Sequence, residues 1–169
     1  MRAFKFLTTE GAGVFSGFAW PLPGGAPGAW VESVVDPCRS GIHACRPSDL
    51  PYWLADALYE IELDGPLDEQ AVKVVAPRGR LIRRVESWDD AMRERYSQMC
   101  FARAGELVAA NPEIASWAPP PTIGLREAAR LGFIVARIAE QVGGIAAHLE
   151  ERRRQSEWLV ERLELSPSA

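Results

Sequence analysis

The chain is poor in the side chains that most often carry nucleophilic and acid–base chemistry. Its 169 residues include three cysteines (Cys38, Cys45, Cys100), two histidines (His43, His148) and two lysines (Lys5, Lys73). An odd cysteine count with no secretory leader argues against a disulfide scaffold. Met1 to Trp20 lacks a basic start followed by an apolar block, so a cytoplasmic location is expected. No uncharged apolar run approaches the roughly 20 residues of a membrane span. The sequence contains no Walker loop, G-x-G-x-x-G, H-E-x-x-H, EF-hand or G-x-S-x-G pattern. That removes the commonest nucleotide, metalloprotease and hydrolase readings. A concentrated positive surface is also missing. The net charge is −4, and residues 1–86 carry nine basic and eleven acidic side chains against ten and twelve in residues 87–169. Neither part suits sustained phosphate binding, so no nucleic-acid partner is expected. Arginine so far outnumbers lysine, and alanine is so frequent, that a GC-rich bacterial coding sequence is indicated.

What is present suits one globular core. With 47% hydrophobic and 25% charged residues, the chain has enough apolar surface to exclude global disorder. The periodicity predicts an α+β fold: a small N-terminal sheet region with one short helix (1–86), then about three helices packed on it (87–169), in one compact domain. Strands are expected at Arg2–Leu7, with Phe4 and Phe6 on one face, and at Ala29–Val35, Gly41–Cys45, Tyr59–Leu63, Val72–Ala76 and Leu81–Val85. Residues 21–28 form a Pro/Gly loop, and Pro77-Arg78-Gly79 reads as a turn. A helix capped by Ser48 is expected to run to about Leu58. Ser87-Trp88-Asp89-Asp90 resembles a capping box for a helix that stops near Asn111-Pro112. Ala118–Pro121 reads as a stiff linker. Helices follow from Leu125 to Val142 and from Ile145 to Leu163, with a break at Gly143-Gly144.

The densest chemical constellation is Cys38-Arg-Ser-Gly-Ile-His43-Ala-Cys45. On an extended segment His43 and Cys45 share a face. Three readings of it stand. Cys38 or Cys45 is a nucleophile with His43 as its base, since a neighbouring imidazole lowers a thiol pKa. Or Cys38, His43 and Cys45, with Cys100 or His148, bind zinc, although the spacing lacks a second C-x2-C or H-x3-H pair. Or the cysteines pack as small hydrophobes and the histidine bonds to backbone.

Other groups add to these. Glu60 and Glu62 share a strand face, where two carboxylates can divide acid and base roles or simply form a wet face. Lys73, Arg78, Arg80, Arg83 and Arg84 form a basic set. Arg83 is expected on the Leu81/Val85 face, where it would anchor an anion; an edge strand guarded by charge is the alternative. Aromatic residues crowd the first third, and Trp20, Trp30 and Trp53 are candidates for a pocket wall beside a mobile loop.

The Cys38–Cys45 segment, followed by Tyr59-Glu-Ile-Glu-Leu-Asp-Gly65, resembles a bacterial and phage family of unknown function that carries a Cys-x-x-Gly-x-His-Ala-Cys signature; this implies no activity. The order of elements is similar to that of the compact ADP-ribosyltransferases, most of all the small rifamycin-modifying type. That resemblance rests on the opening strand, Ile42-His-Ala-Cys45, Leu58-Tyr-Glu-Ile-Glu-Leu-Asp-Gly-Pro66 and Arg80-Leu-Ile-Arg-Arg-Val-Glu-Ser-Trp88. It implies NAD as cofactor, with Arg2, Lys5 and Arg80 meeting the pyrophosphate. The histidine expected in the opening strand is replaced by Ala3-Phe4-Lys5, and no Arg/Ser/Glu or His/Tyr/Glu set carries over.

Three functions follow as expectations. The first is a small enzyme acting on a small organic molecule, with His43 as acid/base, Cys45 or Cys38 as nucleophile, Glu60 or Glu62 as carboxylate partner and Arg83 as anion anchor. The second is an NAD-binding, ADP-ribosyltransferase-like protein. The third is a non-enzymatic homodimer formed through the C-terminal helices.

Overall fold

A computed structural model describes residues 1–36, 39–120 and 127–165. Cys38, Leu125 and part of the expected proline linker lie outside these. The architecture is α+β, with sheets first and helices after. The strands are β1 (Arg2–Leu7), β2 (Val31–Glu32), β3 (Ile42–Ala44), β4 (Ala57–Asp64), β5 (Asp68–Gln70), β6 (Lys73–Ala76) and β7 (Arg78–Arg84). The helices are α1 (Asp90–Ala110) and α2 (Ala128–Arg162), with single 3-10 segments at Pro47–Tyr52 and Pro112–Trp117.

Two antiparallel sheets form, ordered β1-β4-β7-β2 and β3-β6-β5. They are joined where β1 meets the end of β3: Phe4 N–H donates to Cys45 O at 2.9 Å and Cys45 N–H to Phe4 O at 2.8 Å. Alternation along β1 and β4 decides which side chains lie between the sheets. Ala3, Leu7, Tyr59, Ile61, Leu63 and Leu81 of the first sheet pack there against Ile42, Ala44, Val74 and Ala76 of the second. The other face of the first sheet supplies Phe4, Phe6, Leu58 and Val85 to a second core, shared with Trp88 and Tyr96 and with Leu131, Val135, Ile138 and Leu159 of α2. The first sheet is therefore covered on both faces at its lower end. Burial of this apolar surface is the main stabilising term.

Helix starts follow local chemistry. Asp89 caps α1 by accepting from Met92 N at 2.7 Å, two residues after Ser87, which opens the expected cap motif. α2 is continuous in outline but kinked at the Gly143-Gly144 break, where Gly144 has φ +69°.

Several local expectations are corrected. The helix expected from Ser48 to Leu58 is a 3-10 segment of six residues. Its start is held by Asp49, which accepts from Arg46 N at 3.1 Å, and Pro51 removes an N–H that a longer helix would use. The expected turn at 77–79 is narrower, because Arg78 and Gly79 already pair in β7 and the chain changes sheets at Pro77. The Ala29–Val35 strand shrinks to two residues. β5 had no alternating pattern to announce it.

The largest correction concerns face. A β-bulge makes Glu60 pair with Arg83 but Ile61 with Leu81, so Ile82 is the extra residue. The alternation phase reverses there. Arg83 consequently leaves the Leu81 face and joins Glu60 on the outer one.

Candidate functional site

A groove of about 790 Å³ runs along the seam between β1 and β3, beneath the loop that follows β1. Its residues come from five places: β1 with Lys5, the 13–20 loop with Phe15, Phe18 and Trp20, the 31–33 segment with Glu32, the 39–45 segment with Arg39, His43 and Cys45, and Trp53 with Lys73.

Gly41 sets the entry of the histidine strand. Its φ is +116°, and a Cβ placed on it would lie 2.5 Å from Val75 Cγ1. A glycine here lets the chain pass close over β6, after which β3 pairs His43 with Val75. Ile42 and Ala44 enter the core between the sheets, so alternation turns His43 away from it. His43 Nε2 is buried and has no hydrogen-bond partner among the described residues. Burial lowers the His43 pKa, the Lys73 and Lys5 charges lower it further, and a backbone hydrogen bond at Ser40 works the other way. At neutral pH the ring is uncharged.

Lys5 is the groove residue that no motif singles out. It shares its β1 face with Ala3 and Leu7, and its Nζ donates to His43 O at 2.7 Å. The same nitrogen lies 4.8 Å from the centroid of the Trp20 ring. Desolvation lowers its pKa to about 8, opposed in part by the Cys45 side chain. The signal was legible in principle: a lone lysine between two apolar residues of an alternating strand points where they point.

The walls are aromatic. Trp20 is 8% exposed and meets Phe18 edge-on at 5.7 Å. Trp53 is pinned by its Nε1–H to Val72 O at 2.6 Å and takes Phe15 edge-on at 6.1 Å. Phe15 itself is 87% exposed, so it stands over the groove rather than in a core. Lys5, Lys73 and Arg39 outnumber Glu32 among the charged lining residues, which makes the groove cationic.

The candidate residues divide sharply. His43, Trp20 and Trp53 line the groove. Cys45 borders it but is only 2% exposed, and its thiol donates to Phe4 O at 3.3 Å. Burial first, and the Asp49 charge second, push that thiol's pKa up. Cys45 is thus a core side chain with little thiolate to offer, and its surroundings do not support a nucleophilic role. Cys38 lies outside the described residues. Cys100 is buried in the helical core, and His148 on α2 sits 3.0 Å from Glu140, so neither joins His43. Among the described residues no group of three or more His, Cys, Asp or Glu is placed to hold a metal ion.

Glu60, Glu62 and Arg83 belong to the other face of the first sheet. Glu60 is paired with Arg83, and Glu62 with Arg80 at 2.7 Å. They are neither carboxylate partners for His43 nor an anion anchor in the groove. Trp30 is also outside it, with the Arg78 and Arg80 guanidinium groups at 4.3 and 4.5 Å from its ring. The three residues assigned to an NAD pyrophosphate do not converge. Arg2 and Arg80 both lie opposite Glu62 on the outer face, whereas Lys5 lies opposite Tyr59 on the inner one.

Comparison with known proteins gives no match: no family model, no curated protein and no solved structure is similar to this chain. No helix among the described residues is long and apolar enough to cross a membrane.

Proposed function

We propose that this chain is an enzyme that acts on a small organic anion with an aromatic or other flat apolar body, held in the β1/β3 groove with His43 as acid/base. The observation that carries the reading is the partnerless, buried Nε2 of His43 in a groove with aromatic walls and a cationic lining. A buried polar atom without a partner costs roughly 1–3 kcal/mol unless a ligand or water meets it. A cationic lining selects a negative group, and Trp20, Trp53, Phe15 and Phe18 offer edges and faces to a ring. Small-molecule specificity of this kind needs few polar contacts on an apolar wall. Native mass spectrometry of the purified chain tests it. The wild type should retain a small acidic aromatic compound that His43→Gln loses, with both proteins melting within a few degrees of one another. A large loss of stability in His43→Gln would mark the histidine as a packing residue.

A second reading has one observation in its favour. Val142, Ile145 and Leu149 of α2 are apolar and exposed around the kink, with Phe133 also exposed earlier in the helix. A second copy of the chain would cover such a stripe and give a homodimer. Light scattering decides: a strict monomer at high micromolar concentration removes it.

A further inference from the structure

The β1/β3 groove holds an amine as well as an imidazole, and the amine is the less expected of the two. An ammonium ion withdrawn from water is costly, and a methionine would fill the same space at no electrostatic cost. Among the described residues the Lys5 side chain donates to a backbone carbonyl, and no carboxylate pairs with it. Its remaining neighbour in that direction is the face of Trp20. The salt-bridged cations of the first sheet's outer face show the contrast, since Arg78, Arg80 and Arg83 each have an acidic partner. Lys5 is held in place, only partly exposed, and without a counter-ion among the described residues.

That environment favours the neutral amine. With a pKa of about 8 instead of 10.5, Lys5 has on the order of a few hundred times more free amine at pH 7 than an ordinary lysine. A neutral amine has two N–H groups and one lone pair. One N–H is used on His43 O, and the lone pair is left to act. Amines desolvated in this way are nucleophiles toward carbonyl carbon.

We propose that Lys5 is a covalent attachment point for the groove's ligand, which it takes as an imine with an aromatic aldehyde or ketone bearing a negative group. The proposal rests on the groove being a site for aromatic anions and narrows that class to carbonyl compounds. In the reaction the Lys5 nitrogen bonds to the carbonyl carbon while the C=O π pair moves to oxygen. Proton transfer from nitrogen to that oxygen gives a carbinolamine. The hydroxyl then leaves as water, the nitrogen lone pair closes the C=N bond, and one further proton passes from nitrogen to the departing oxygen. The products are one imine and one water, with no oxidation or reduction. His43 lines the same groove, and its neutral imidazole is the group assigned to accept and return those protons.

Two probes test it on the full chain. The first is 4-methylbenzoate, an aromatic anion without a reactive carbonyl, followed by tryptophan fluorescence. The second is 4-carboxybenzaldehyde with cyanoborohydride, which reduces any imine to a stable amine, followed by intact mass and peptide mapping. The chain has two lysines, so Lys73 is the internal control, and the Met1 amino group is the other competitor. The expected result is one reduced adduct, mapped to Lys5, formed at pH 7 at least ten times faster than labelling of Lys73 or Met1. Lys5→Met should lose that adduct and, with one groove cation fewer, bind 4-methylbenzoate more weakly than the wild type, and His43→Gln should form the adduct several-fold more slowly. Equal labelling of Lys5 and Lys73, or an adduct that survives in Lys5→Met, overturns the proposal. If 4-methylbenzoate binds but no Lys5 adduct forms, the imine fails and the binding groove stands. If 4-methylbenzoate and the aldehyde both fail to bind, the groove reading fails first and the imine falls with it.

Discussion

The first sheet carries charge on both of its faces, and the two faces put it to different uses. On the outer face Glu60, Glu62 and Asp64 stand across from Arg83, Arg80 and Arg78, each pair partly open to solvent. Such pairs neutralise one another and are screened by water. On the groove side Lys5 has a carbonyl and a ring for neighbours, and His43 on β3 has a bare nitrogen. The residue types on the outer face are as capable of acid–base work as those in the groove. What separates them is the presence of a partner and of water. A strand charge becomes chemistry when it is desolvated and left without its opposite.

Breaking that contrast should give unequal effects. The largest is expected from inverting the groove charge. Lys5→Glu places a carboxylate against the His43 carbonyl and the Trp20 face and should cost about 2–4 kcal/mol in urea unfolding, whereas Glu62→Gln on the outer face should cost below about 1 kcal/mol. Comparable losses would erase the distinction between the faces.

A second effect depends on pH. Because the folded pKa of Lys5 is depressed to about 8 from 10.5, the unfolded chain binds more protons between those values, and the Lys5 contribution to stability rises as pH is raised through them. Lys5→Met removes that dependence. Its thermal stability relative to wild type should therefore be greatest near pH 7 and should decline toward pH 10, as calorimetry would read directly. A pH-independent difference would mean the amine is not desolvated.

The third effect is smaller and lies on the acid side. His43 has a lowered folded pKa, so its contribution is complete above the ordinary histidine range and is lost as pH falls from about 6.5 toward the folded value. His43→Gln should flatten that part of the wild-type stability curve between pH 7 and 5. The smallest effect is expected from Arg83→Gln, a few tenths of a kcal/mol that salt should abolish.

How much of this the sequence disclosed depended on how far each residue's setting is local. β1 and β4 alternate over six and eight residues, so their faces were readable, and the α1 cap motif lies within one turn of its helix. His43 was picked out by its rarity and by the extended run around it, and Trp20 and Trp53 by the crowding of aromatics. Arg83 was misplaced because the bulge at Ile82 depends on how β4 and β7 pair, which no single strand contains. Glu60 and Glu62 were readable as a shared face but not as a paired one, since their arginines come from β7. Cys45 looked exposed to chemistry because its burial is made by Phe4, 41 residues away. Lys5 belongs to no motif, yet its face is written in the alternation of Arg2-Ala3-Phe4-Lys5-Phe6-Leu7.

The titration of Lys5 itself is the most direct test, followed by NMR on its side-chain Cε and assigned by comparison with Lys5→Arg. A midpoint near 8 would establish a desolvated amine in the groove without a counter-ion. A midpoint at or above the ordinary value of 10.5 would show the amine to be solvated or paired, and would contradict the account.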